Sequence, residues 1–379
     1  MKVLLACGGT GGHINPALAI ADIIKSKYPD AEFLFAGTPN GMEARLVPKA
    51  GYRLETIKSA GFQRKISLEN VKRNAKALTY LAMSGKRAKE IISGFSPDIA
   101  IGTGGYASGA IIRKASRMGI PSAIHEQNAY PGVTNRLLAK EVDYVMLTVI
   151  EALDFMDKSK FEYSVTGLPV RSSISKMTKA EARKKLGFNN DFTILSFGGS
   201  LGAGCINDTM TEVIKWHTKN NLKINHIHGY GGMGKETFPQ AMESAGIPLK
   251  SDRLRITEYI NDMNVCLACA DLVICRSGAS TLAELEASGK ASILIPSPIV
   301  AGNHQYHNAM VLGKAGASVV IEQKDVTDKK IISEIENLYG NPEKVTAMSC
   351  RAKELHLADT NKRILDVIDK LFEKSQNKK

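Results

Sequence analysis

Two glycine-rich loops lie at corresponding places in the two halves of this 379-residue chain. Residues 8–13 read Gly-Gly-Thr-Gly-Gly-His and residues 198–204 read Gly-Gly-Ser-Leu-Gly-Ala-Gly, each directly after a short apolar run. Because glycine has no Cβ atom, such a loop lets backbone N–H groups and a helix N-terminus approach an anion closely. The duplication therefore predicts a protein that handles phosphorylated molecules.

A histidine and a polar run in the first half could supply acid–base chemistry. His13 stands where a helix is predicted to begin, and a helix N-terminus favours a neutral imidazole that can accept a proton from a hydroxyl. The run from His125 to Asn128 ends a predicted strand, at the edge where open α/β sheets bind ligands. There Glu126 could orient His13 or a substrate hydroxyl, and Asn128 could hydrogen-bond a sugar. The residue types leave open whether His13 or Glu126 is the base, or whether His13 only caps or packs.

A further loop, in the second half, combines a helix N-terminus with a carboxylate. Residues 275–284 predict a strand, a turn and a helix, so the N–H groups of residues 279–282 would face an anion. Glu284, about one turn into the helix, could accept hydrogen bonds from both hydroxyls of a ribose. The alternative is a surface glutamate that merely favours its helix N-terminus. Residues 303–305, Asn-His-Gln, follow another predicted strand and would bring amide groups to the same edge.

Dinucleotide and metal sites are disfavoured. The first loop lacks the Gly-x-Gly-x-x-Gly spacing of nicotinamide-binding folds, and residues 35–38, Phe-Ala-Gly-Thr, lack the ribose-binding acid after the second strand. No Asp-x-Asp pair occurs, and His226 and His228 have no accompanying carboxylate or thiolate cluster. Cys266 and Cys269 lie in a predicted helix and are interpreted as buried thiols. We therefore expect neither a metal nor a cofactor.

The positive charge is concentrated in one segment. The chain has a net charge of +12, and residues 61–91 alone hold eight basic and two acidic side chains among apolar ones. Such a segment suits an anionic membrane surface, although a solvated helix with its apolar face in the core is an equal alternative. Nucleic acid is disfavoured because the segment offers few aromatic side chains for stacking. The cysteines follow no disulfide-scaffold spacing, which favours a reduced, cytosolic protein, and no apolar run approaches the roughly 18 residues of a membrane span.

Short apolar runs alternate with helical patterns, which predicts two α/β domains with parallel sheets. A turn-forming segment at 166–171 separates a first domain, residues 1–165, from a second, residues 166–355. Residues 356–379 are expected to form a helix that packs back on the first domain and ends in a frayed tail. The predicted strands are 2–7, 32–36, 99–102, 122–126, 144–147, 163–165, 193–197, 224–228, 253–257, 272–275, 292–295 and 318–321. The predicted helices are 16–27, 41–50, 68–93, 107–118, 133–140, 203–219, 263–269, 280–287, 305–314, 329–338 and 356–373.

Together these motifs resemble the MurG family of bacterial N-acetylglucosaminyltransferases over about residues 3–320. The matching segments are 8–13, 42–43, 104–106, 125–128, 169–171, 198–200, 276–279 and 304–305. The resemblance implies the GT-B fold, in which two Rossmann-like, doubly wound parallel-sheet α/β domains face a central cleft. It also implies an inverting transfer of N-acetylglucosamine from UDP-N-acetylglucosamine (UDP-GlcNAc) to the C4 hydroxyl of the muramyl sugar in undecaprenyl-diphosphoryl-N-acetylmuramoyl-pentapeptide. This step converts lipid I to lipid II in peptidoglycan synthesis.

The resemblance further implies residue roles. The residues implied to bind UDP-GlcNAc are Thr10, Gly11, Gly12, Asn128, Arg171, Ser200, Ile260, Ala279, Ser280, Thr281, Leu282, Ala283, Glu284 and Gln305. Arg171, Ser200 and the backbone of residues 279–283 would hold the diphosphate, while Glu284 would bind the ribose. The Ile260 backbone would meet the uracil and Gln305 the sugar, and His13 is the preferred base. The lipid-linked acceptor implies a peripheral protein on the cytoplasmic face of the bacterial cell membrane, with the basic segment toward that anionic surface.

Three positions depart from the family pattern. Leu201 stands where glutamine is usual, Leu168 where asparagine is usual, and Gly302-Asn303 where an acid commonly precedes the histidine. Individual donor contacts are expected to differ there while the backbone cradle remains. Three other functions fit part of the pattern: a UDP-GlcNAc 2-epimerase, a glycolipid glycosyltransferase with another acceptor, and a nucleotide-regulated membrane-binding module without chemistry. The basic segment and residues 125–128 favour the transferase over the epimerase, and a module without chemistry would leave the predicted acid–base residues without a role.

Overall fold

A computed structural model describes residues 1–58, 84–171, 173–174 and 176–378 of the chain. The strands are β1 (Lys2–Cys7), β2 (Glu32–Gly37), β3 (Arg53–Thr56), β4 (Ile99–Gly104), β5 (Ser122–Glu126), β6 (Tyr144–Leu147), β7 (Glu162–Val165), β8 (Phe192–Phe197), β9 (Ile224–Gly229), β10 (Leu254–Thr257), β11 (Leu272–Cys275), β12 (Ala291–Leu294) and β13 (Ser318–Val320). The helices are α1 (Gly11–Lys27), α2 (Glu43–Lys49), α3 (described over 84–95), α4 (Tyr106–Arg117), α5 (Val133–Leu138), α6 (Lys179–Leu186), α7 (Gly204–Lys219), α8 (Thr237–Ser244), α9 (Met263–Cys269), α10 (Ala279–Ser288), α11 (His304–Lys314), α12 (Asp328–Tyr339), α13 (Pro342–Leu355) and α14 (Thr360–Gln376).

The strands form two parallel sheets. One has the order β3-β2-β1-β4-β5-β6-β7 and the other the order β10-β9-β8-β11-β12-β13. The order reverses beside the first strand of each sheet, between β1 and β4 and between β8 and β11. Connections leave such a point in opposite directions, which opens a crevice at the carboxyl edge of the sheet. The predicted glycine-rich loops therefore follow the strands that flank the two crevices.

Two compact units hold these sheets, Met1–Pro169 with Asp359–Lys379, and Val170–Ala358. Side chains of a strand alternate between the faces of its sheet, so Leu4 and Val3 of β1 enter separate apolar clusters. In the second unit Ile194 and Leu195 of β8 divide in the same way. Helices cover both faces of each sheet, which explains why the central strands read as continuous apolar runs.

The last helix, α14, packs on the first unit. Its buried Ile364, Ile368 and Leu371 join the cluster that contains Val3 of β1. On the outside, Asp369 accepts hydrogen bonds from the Tyr28 hydroxyl over 2.7 Å and from the Lys27 ammonium over 2.5 Å. The helix thus closes the face of the first sheet that α1 covers only in part.

Several elements differ from the sequence-based predictions. Helix α1 begins at Gly11 and not at residue 16, so that Pro16 lies inside the helix and not in its first turn. Strand β3 and helices α6, α8 and α13 were not predicted. β3 lies at the sheet edge without an apolar run, and α6 buries only Ala182.

The basic segment predicted to contact a membrane falls largely on residues 59–83, which lie outside the described residues. Of the helix predicted at 68–93, residues 84–93 lie in the described part of α3. Within the described ranges, no helix combines the length and the apolar character required to cross a membrane.

Candidate functional site

A buried carboxylate braces the first glycine-rich loop. Glu43, the first residue of α2, accepts hydrogen bonds from the Gly9 N–H over 3.1 Å and from the Thr38 N–H and hydroxyl over 2.7 and 2.6 Å. Its side chain is fully buried. Burial opposes ionisation, but the hydrogen bonds from Thr38 and Gly9 outweigh it and hold the pKa of the Glu43 carboxyl below its ordinary value. Glu43 therefore ties the loop after β1 to the loop after β2.

Glycines make room for this carboxylate. A Cβ atom on Gly8 would lie 2.8 Å from Glu43 Oε1, one on Gly37 would lie 2.5 Å from Glu43 Cγ, and one on Gly41 would overlap the carboxylate. Glu43 lies in segment 42–43, one of the segments that resemble the MurG family, but the sequence pattern gave it no role. A carboxylate that follows closely spaced glycines after β2 is the signal that could have identified it. Because both oxygens are engaged by the two loops, Glu43 does not replace the missing ribose-binding acid.

The N-terminus of α1 is open beside that loop. The first bonds within the helix run from the N–H groups of His13 and Ile14 to the Thr10 carbonyl, over 3.0 and 3.2 Å. The N–H groups of Gly11 and Gly12 precede these bonds and are directed out of the helix end. Neither glycine has a side chain to cover that end, so it can accept an anion. Thr10, Gly11 and Gly12 thus lie together at the carboxyl edge of β1, as the sequence predicts.

The ring of His13 is held by the run that follows β5. His13 Nδ1 lies 3.0 Å from Gln127 Oε1. Gln127 Nε2 lies 2.8 Å from the His125 carbonyl oxygen and 3.2 Å from His125 Nδ1, and His125 Nε2 lies 3.0 Å from the Gly167 carbonyl oxygen. His125 is fully buried, and burial lowers its pKa, so this imidazole is neutral. Gln127, to which the sequence analysis gave no role, connects the two histidines.

Glu126 is buried at the end of β5, and both of its oxygens are engaged. Oε1 accepts from the N–H and the side-chain amide of Asn128 over 2.9 and 3.1 Å. Oε2 accepts from the Gly132 N–H over 3.0 Å and from the Asn135 amide over 2.8 Å. The carboxylate therefore organises the loop between β5 and α5 and keeps Asn128 beside it.

In the second unit, the loop after β8 makes a close turn. Gly202 donates to the Gly199 carbonyl over 3.0 Å and has φ +83°, and its Cα approaches the Tyr230 carbonyl so closely that a Cβ atom would not fit. Ser200 is exposed in this turn, and Leu201, which replaces the usual glutamine, is 74% exposed. Helix α7 begins at Gly204, directly after the turn. The loop thus presents main-chain groups and the Ser200 hydroxyl.

The loop after β11 leads into α10, with Gly278 as its N-cap. The first bond within the helix runs from the Leu282 N–H to the Gly278 carbonyl over 3.1 Å, so the amides of residues 279–281 precede it. The side chains of Leu282 and Ala283 are buried, and only their main chain could meet a ligand. The predicted anion site is therefore a helix N-terminus at the second switch point.

Glu284, in the second turn of α10, is paired with Arg171. The Arg171 Nη2 atom lies 2.8 Å from Glu284 Oε1, and the arginine side chain is 64% exposed whereas the glutamate is 19% exposed. These residues were assigned to different parts of the donor, the diphosphate and the ribose. The structure brings them into direct contact.

Gln305 and Ile260 are less open than their predicted roles suggest. Gln305 Oε1 accepts from the Ser297 N–H over 2.9 Å, and the Gln305 carbonyl accepts from the Ser277 hydroxyl over 2.7 Å. The Ile260 side chain is buried beside Gly229 at the end of β9. Gln305 could therefore address a sugar through its amide nitrogen, and Ile260 could meet a base through its main chain.

A chain of buried histidines lies in the second unit. The Ser196 hydroxyl lies 2.8 Å from His226 Nε2 and 2.8 Å from His228 Nδ1, and His217 Nε2 lies 3.2 Å from His226 Nδ1. Burial lowers the pKa of His217 to about 4 and that of His228 to about 3, and it lowers the pKa of His226 as well. These imidazoles are neutral and belong to the core. Over the described ranges, no group of three or more His, Cys, Asp or Glu residues could hold a metal ion.

The cysteine pair of α9 is buried and unbridged, as the sequence predicts. Cys266 and Cys269 are both free thiols in the core of the second unit. Burial raises the pKa of the Cys266 thiol to about 12. A thiol of that kind stays protonated and unreactive at neutral pH.

Comparison with known proteins relates the whole chain to one family. Residues 3–147 match the glycosyltransferase family 28 N-terminal domain, and residues 193–364 match the glycosyltransferase family 28 C-terminal domain. The UDP-N-acetylglucosamine--N-acetylmuramyl-(pentapeptide) pyrophosphoryl-undecaprenol N-acetylglucosamine transferase of Acetivibrio thermocellus is 44% identical over 97% of this chain and 97% of its own length. The protein of the same name from Desulforamulus reducens is 41% identical over 99% of this chain and 100% of its own length.

Solved structures agree in fold. The crystal structure of Acinetobacter baumannii MurG matches with a TM-score of 0.75 at 27% identity and covers 97% of this chain and 99% of its own. A putative UDP-N-acetylglucosamine 2-epimerase from Listeria monocytogenes matches with a TM-score of 0.67 at 15% identity, over 98% of this chain and 96% of its own, which is a likeness of fold alone. The GT-B fold predicted from the sequence, with two Rossmann-like parallel-sheet domains, is confirmed.

Proposed function

The chain belongs to glycosyltransferase family 28 and, within it, to the MurG family, and from this membership we infer its reaction. It transfers N-acetylglucosamine from UDP-GlcNAc to undecaprenyl-pyrophosphoryl-N-acetylmuramyl-pentapeptide, which converts lipid I to lipid II in peptidoglycan synthesis. The observation that carries this inference is 44% identity over 97% of the chain with a transferase of that name. The membership makes the enzyme a hexosyltransferase and disfavours the epimerase, which shares only the fold.

We propose that the second unit binds the donor at its switch point. The amides of residues 279–281 and the positive end of the α10 dipole suit the diphosphate, and they would also stabilise the charge that develops on UDP as it leaves. Ser200 and Arg171 add a hydroxyl and a guanidinium for the same group. Glu284 keeps one carboxylate oxygen, Oε2, for the ribose hydroxyls while Oε1 accepts from Arg171.

We propose His13 as the general base. Its Nδ1 atom faces Gln127, which leaves Nε2 to take the proton of the acceptor's C4 hydroxyl. The C4 oxygen then forms a bond to C1 of the donor sugar while the bond from C1 to the diphosphate oxygen breaks, and UDP departs with that electron pair. Attack opposite the leaving group inverts the anomeric carbon. Glu126 is the weaker candidate because the oxygens of its buried carboxylate accept four hydrogen bonds, three from the loop after β5 and one from Asn135 of α5.

We propose that the protein works as a peripheral protein on the cytoplasmic face of the bacterial membrane, where its acceptor is anchored. Support comes from the basic composition of residues 61–91 and from α5. Val133 and Leu137 are exposed four residues apart on one face of α5, at 49% and 65%, with Arg136 and Lys140 close by in sequence. Apolar side chains flanked by basic ones suit an anionic lipid surface.

A transfer assay tests the proposal. Purified protein is incubated with UDP-GlcNAc labelled in the sugar and with the undecaprenyl-linked acceptor, and the lipid phase is extracted. Label in the lipid phase with equimolar UDP supports the transferase. Conversion of the labelled sugar to its 2-epimer, or binding of UDP-GlcNAc without turnover under conditions that support a related transferase, would overturn it.

A further inference from the structure

We propose that Gln127 is a positioning residue that holds the His13 imidazole in the tautomer with its proton on Nδ1. The side-chain amide of Gln127 lies between two histidine rings that are far apart in sequence, 3.0 Å from His13 Nδ1 and 3.2 Å from His125 Nδ1. The role follows from the main-chain carbonyl oxygens in this chain of contacts, which can accept a hydrogen bond but cannot donate one. It rests on the proposed function of His13 as the base.

The main-chain carbonyl of His125 fixes the orientation of the Gln127 amide. The carbonyl oxygen lies 2.8 Å from one end of that amide, and a carbonyl oxygen can only accept a hydrogen bond. The amide end facing it must therefore be the NH₂ group. The opposite end, which faces His13 Nδ1, is then the oxygen, so Nδ1 must carry the proton to make that hydrogen bond.

A second carbonyl, that of Gly167, leads to the same orientation independently. It lies 3.0 Å from His125 Nε2, which must therefore donate. His125 is fully buried and neutral, so its other nitrogen, Nδ1, has a lone pair and accepts from the Gln127 NH₂ group. Were the Gln127 amide reversed, its oxygen would face both this lone pair and the His125 carbonyl oxygen. Two main-chain carbonyls thus determine the protonation of the His13 ring through Gln127.

The backbone around His13 keeps the ring in place. The Thr103 hydroxyl donates to the His13 carbonyl over 2.7 Å. A Cβ atom on Gly104 would lie 2.7 Å from His13 Nδ1, so this glycine lets β4 pass directly beside the ring. With Nδ1 committed to Gln127, the lone pair on Nε2 is the one nitrogen site of the neutral ring that can accept a proton. In the other tautomer Nε2 would already carry one and could not act as the base.

The first test is spectroscopic and does not depend on catalysis. Protein labelled with ¹⁵N-histidine is examined by long-range ¹H–¹⁵N correlation above pH 7.5, and the His13 signals are assigned by their loss in His13→Ala. We expect the parent to show a protonated Nδ1 and an unprotonated Nε2. Gln127→Leu, which removes the acceptor oxygen, should give a mixture of tautomers. An exposed glutamine replaced in the same way, Gln240→Leu, is the matched control.

The second test measures turnover in the same proteins. We expect Gln127→Leu to lower kcat by about ten- to a hundredfold, as removal of a group that orients a catalytic histidine does, with the KM for UDP-GlcNAc within about twofold of the parent. An unchanged His13 tautomer in Gln127→Leu overturns the positioning role. A changed tautomer with unchanged kcat shows instead that the tautomer does not matter and that His13 is not the base.

Discussion

The Arg171 guanidinium donates to Glu284 Oε1 over 2.8 Å, so that the residues assigned to the diphosphate and the ribose of the donor restrain each other. The exposed arginine gains a fixed direction from the more buried glutamate. The glutamate, in turn, has its Oε1 atom held by the guanidinium. A donor molecule would therefore meet two side chains that are already oriented.

Glu284→Ala is predicted to weaken UDP binding by about 1–3 kcal/mol, because the ribose hydroxyls lose their acceptor and Arg171 loses its partner. Titration calorimetry with UDP measures the effect, and Glu243→Ala, an exposed glutamate of α8, serves as the control. An affinity equal to that of the parent in a folded variant would show that Glu284 does not touch the ribose. In a double-mutant cycle with Arg171→Ala, the coupling should stay below about 1 kcal/mol, since the arginine side chain is largely exposed to water.

Replacement of His13 by alanine is predicted to lower kcat by about 10²–10⁴-fold, because the acceptor hydroxyl is a weak nucleophile without a base. Donor affinity should change little, and the acidic limb of the kcat–pH profile should disappear with the imidazole. His356→Ala, at a half-buried histidine after α13, provides the comparison. If the variant keeps both the turnover and the acidic limb of the parent, His13 is structural and Glu126 becomes the candidate base.

Glu43→Gln is predicted to destabilise the first unit by about 1–3 kcal/mol at neutral pH, because the introduced NH₂ group would face the N–H of Gly9 or Thr38. The lowered pKa of Glu43 also gives a pH dependence. Its contribution to stability is complete above the ordinary carboxyl pKa of 4.5 and is lost as the pH falls through the lowered value. Denaturant unfolding of parent and variant at pH 7 and at pH 3–4 measures both effects, with Glu32→Gln on the exposed end of β2 as the control. Equal stability of parent and variant at pH 7 would contradict the bracing role.

The buried histidines predict acid sensitivity of the second unit. His217 and His228 have lowered pKa values of about 4 and about 3, whereas in the unfolded chain they titrate near 6.5. Their contribution to the free energy of unfolding is therefore complete above pH 6.5. It declines as the pH falls toward 4, since the unfolded state then binds more protons than the folded state. We expect His228→Phe, which keeps the stacking on Phe238, to flatten that decline in unfolding experiments between pH 8 and pH 4. If the free energy of unfolding of His228→Phe falls with pH as steeply as that of the parent, His228 is not the source of the acid sensitivity.

Charge reversal at Arg64, Lys65, Lys72 and Arg73 is predicted to release the protein from acidic vesicles. Turnover of a soluble acceptor analogue should remain close to that of the parent. High salt should release the parent in the same way, because exposed charges are screened over about 10 Å or less. Flotation with vesicles of phosphatidylglycerol and neutral lipid gives the measurement, and equal binding of parent and variant would refute the membrane role of this segment.

The alternation of apolar runs and helical patterns was sufficient to predict the two parallel sheets, because strands buried on both faces are predominantly apolar. Of the elements that were not predicted, the edge strand takes its stability from the surrounding fold, whereas α6 and α13 begin with side-chain caps at Thr178 and Asn341. The edge strand β3 reads Arg-Leu-Glu-Thr and forms only because β2 offers it a partner. The early start of α1 was hidden by Gly11 and Gly12, which are poor helix formers, and by Pro16, which looked like a first-turn residue.

The polar site was only partly predictable. Glycine-rich loops, Glu284 and the run after β5 carry local signals that place them at the carboxyl edges of the strands. The contact between Gln127 and His13 has no such signal, since the two residues are 114 positions apart in the chain and become neighbours only through the order of the strands. The pairing of Arg171 with Glu284 is non-local in the same sense, over 113 positions.

The return of α14 to the first unit makes the second unit an insertion, since the chain leaves the first unit after Pro169 and re-enters it at Asp359. A ribosome that adds about 5–20 residues per second needs roughly 10–40 s to synthesise the intervening residues. Throughout that time the side chains of α1, β4 and β6 against which α14 packs lack that cover. All core residues of the second unit are synthesised before α14. The first unit, whose strands are translated first, is therefore completed last.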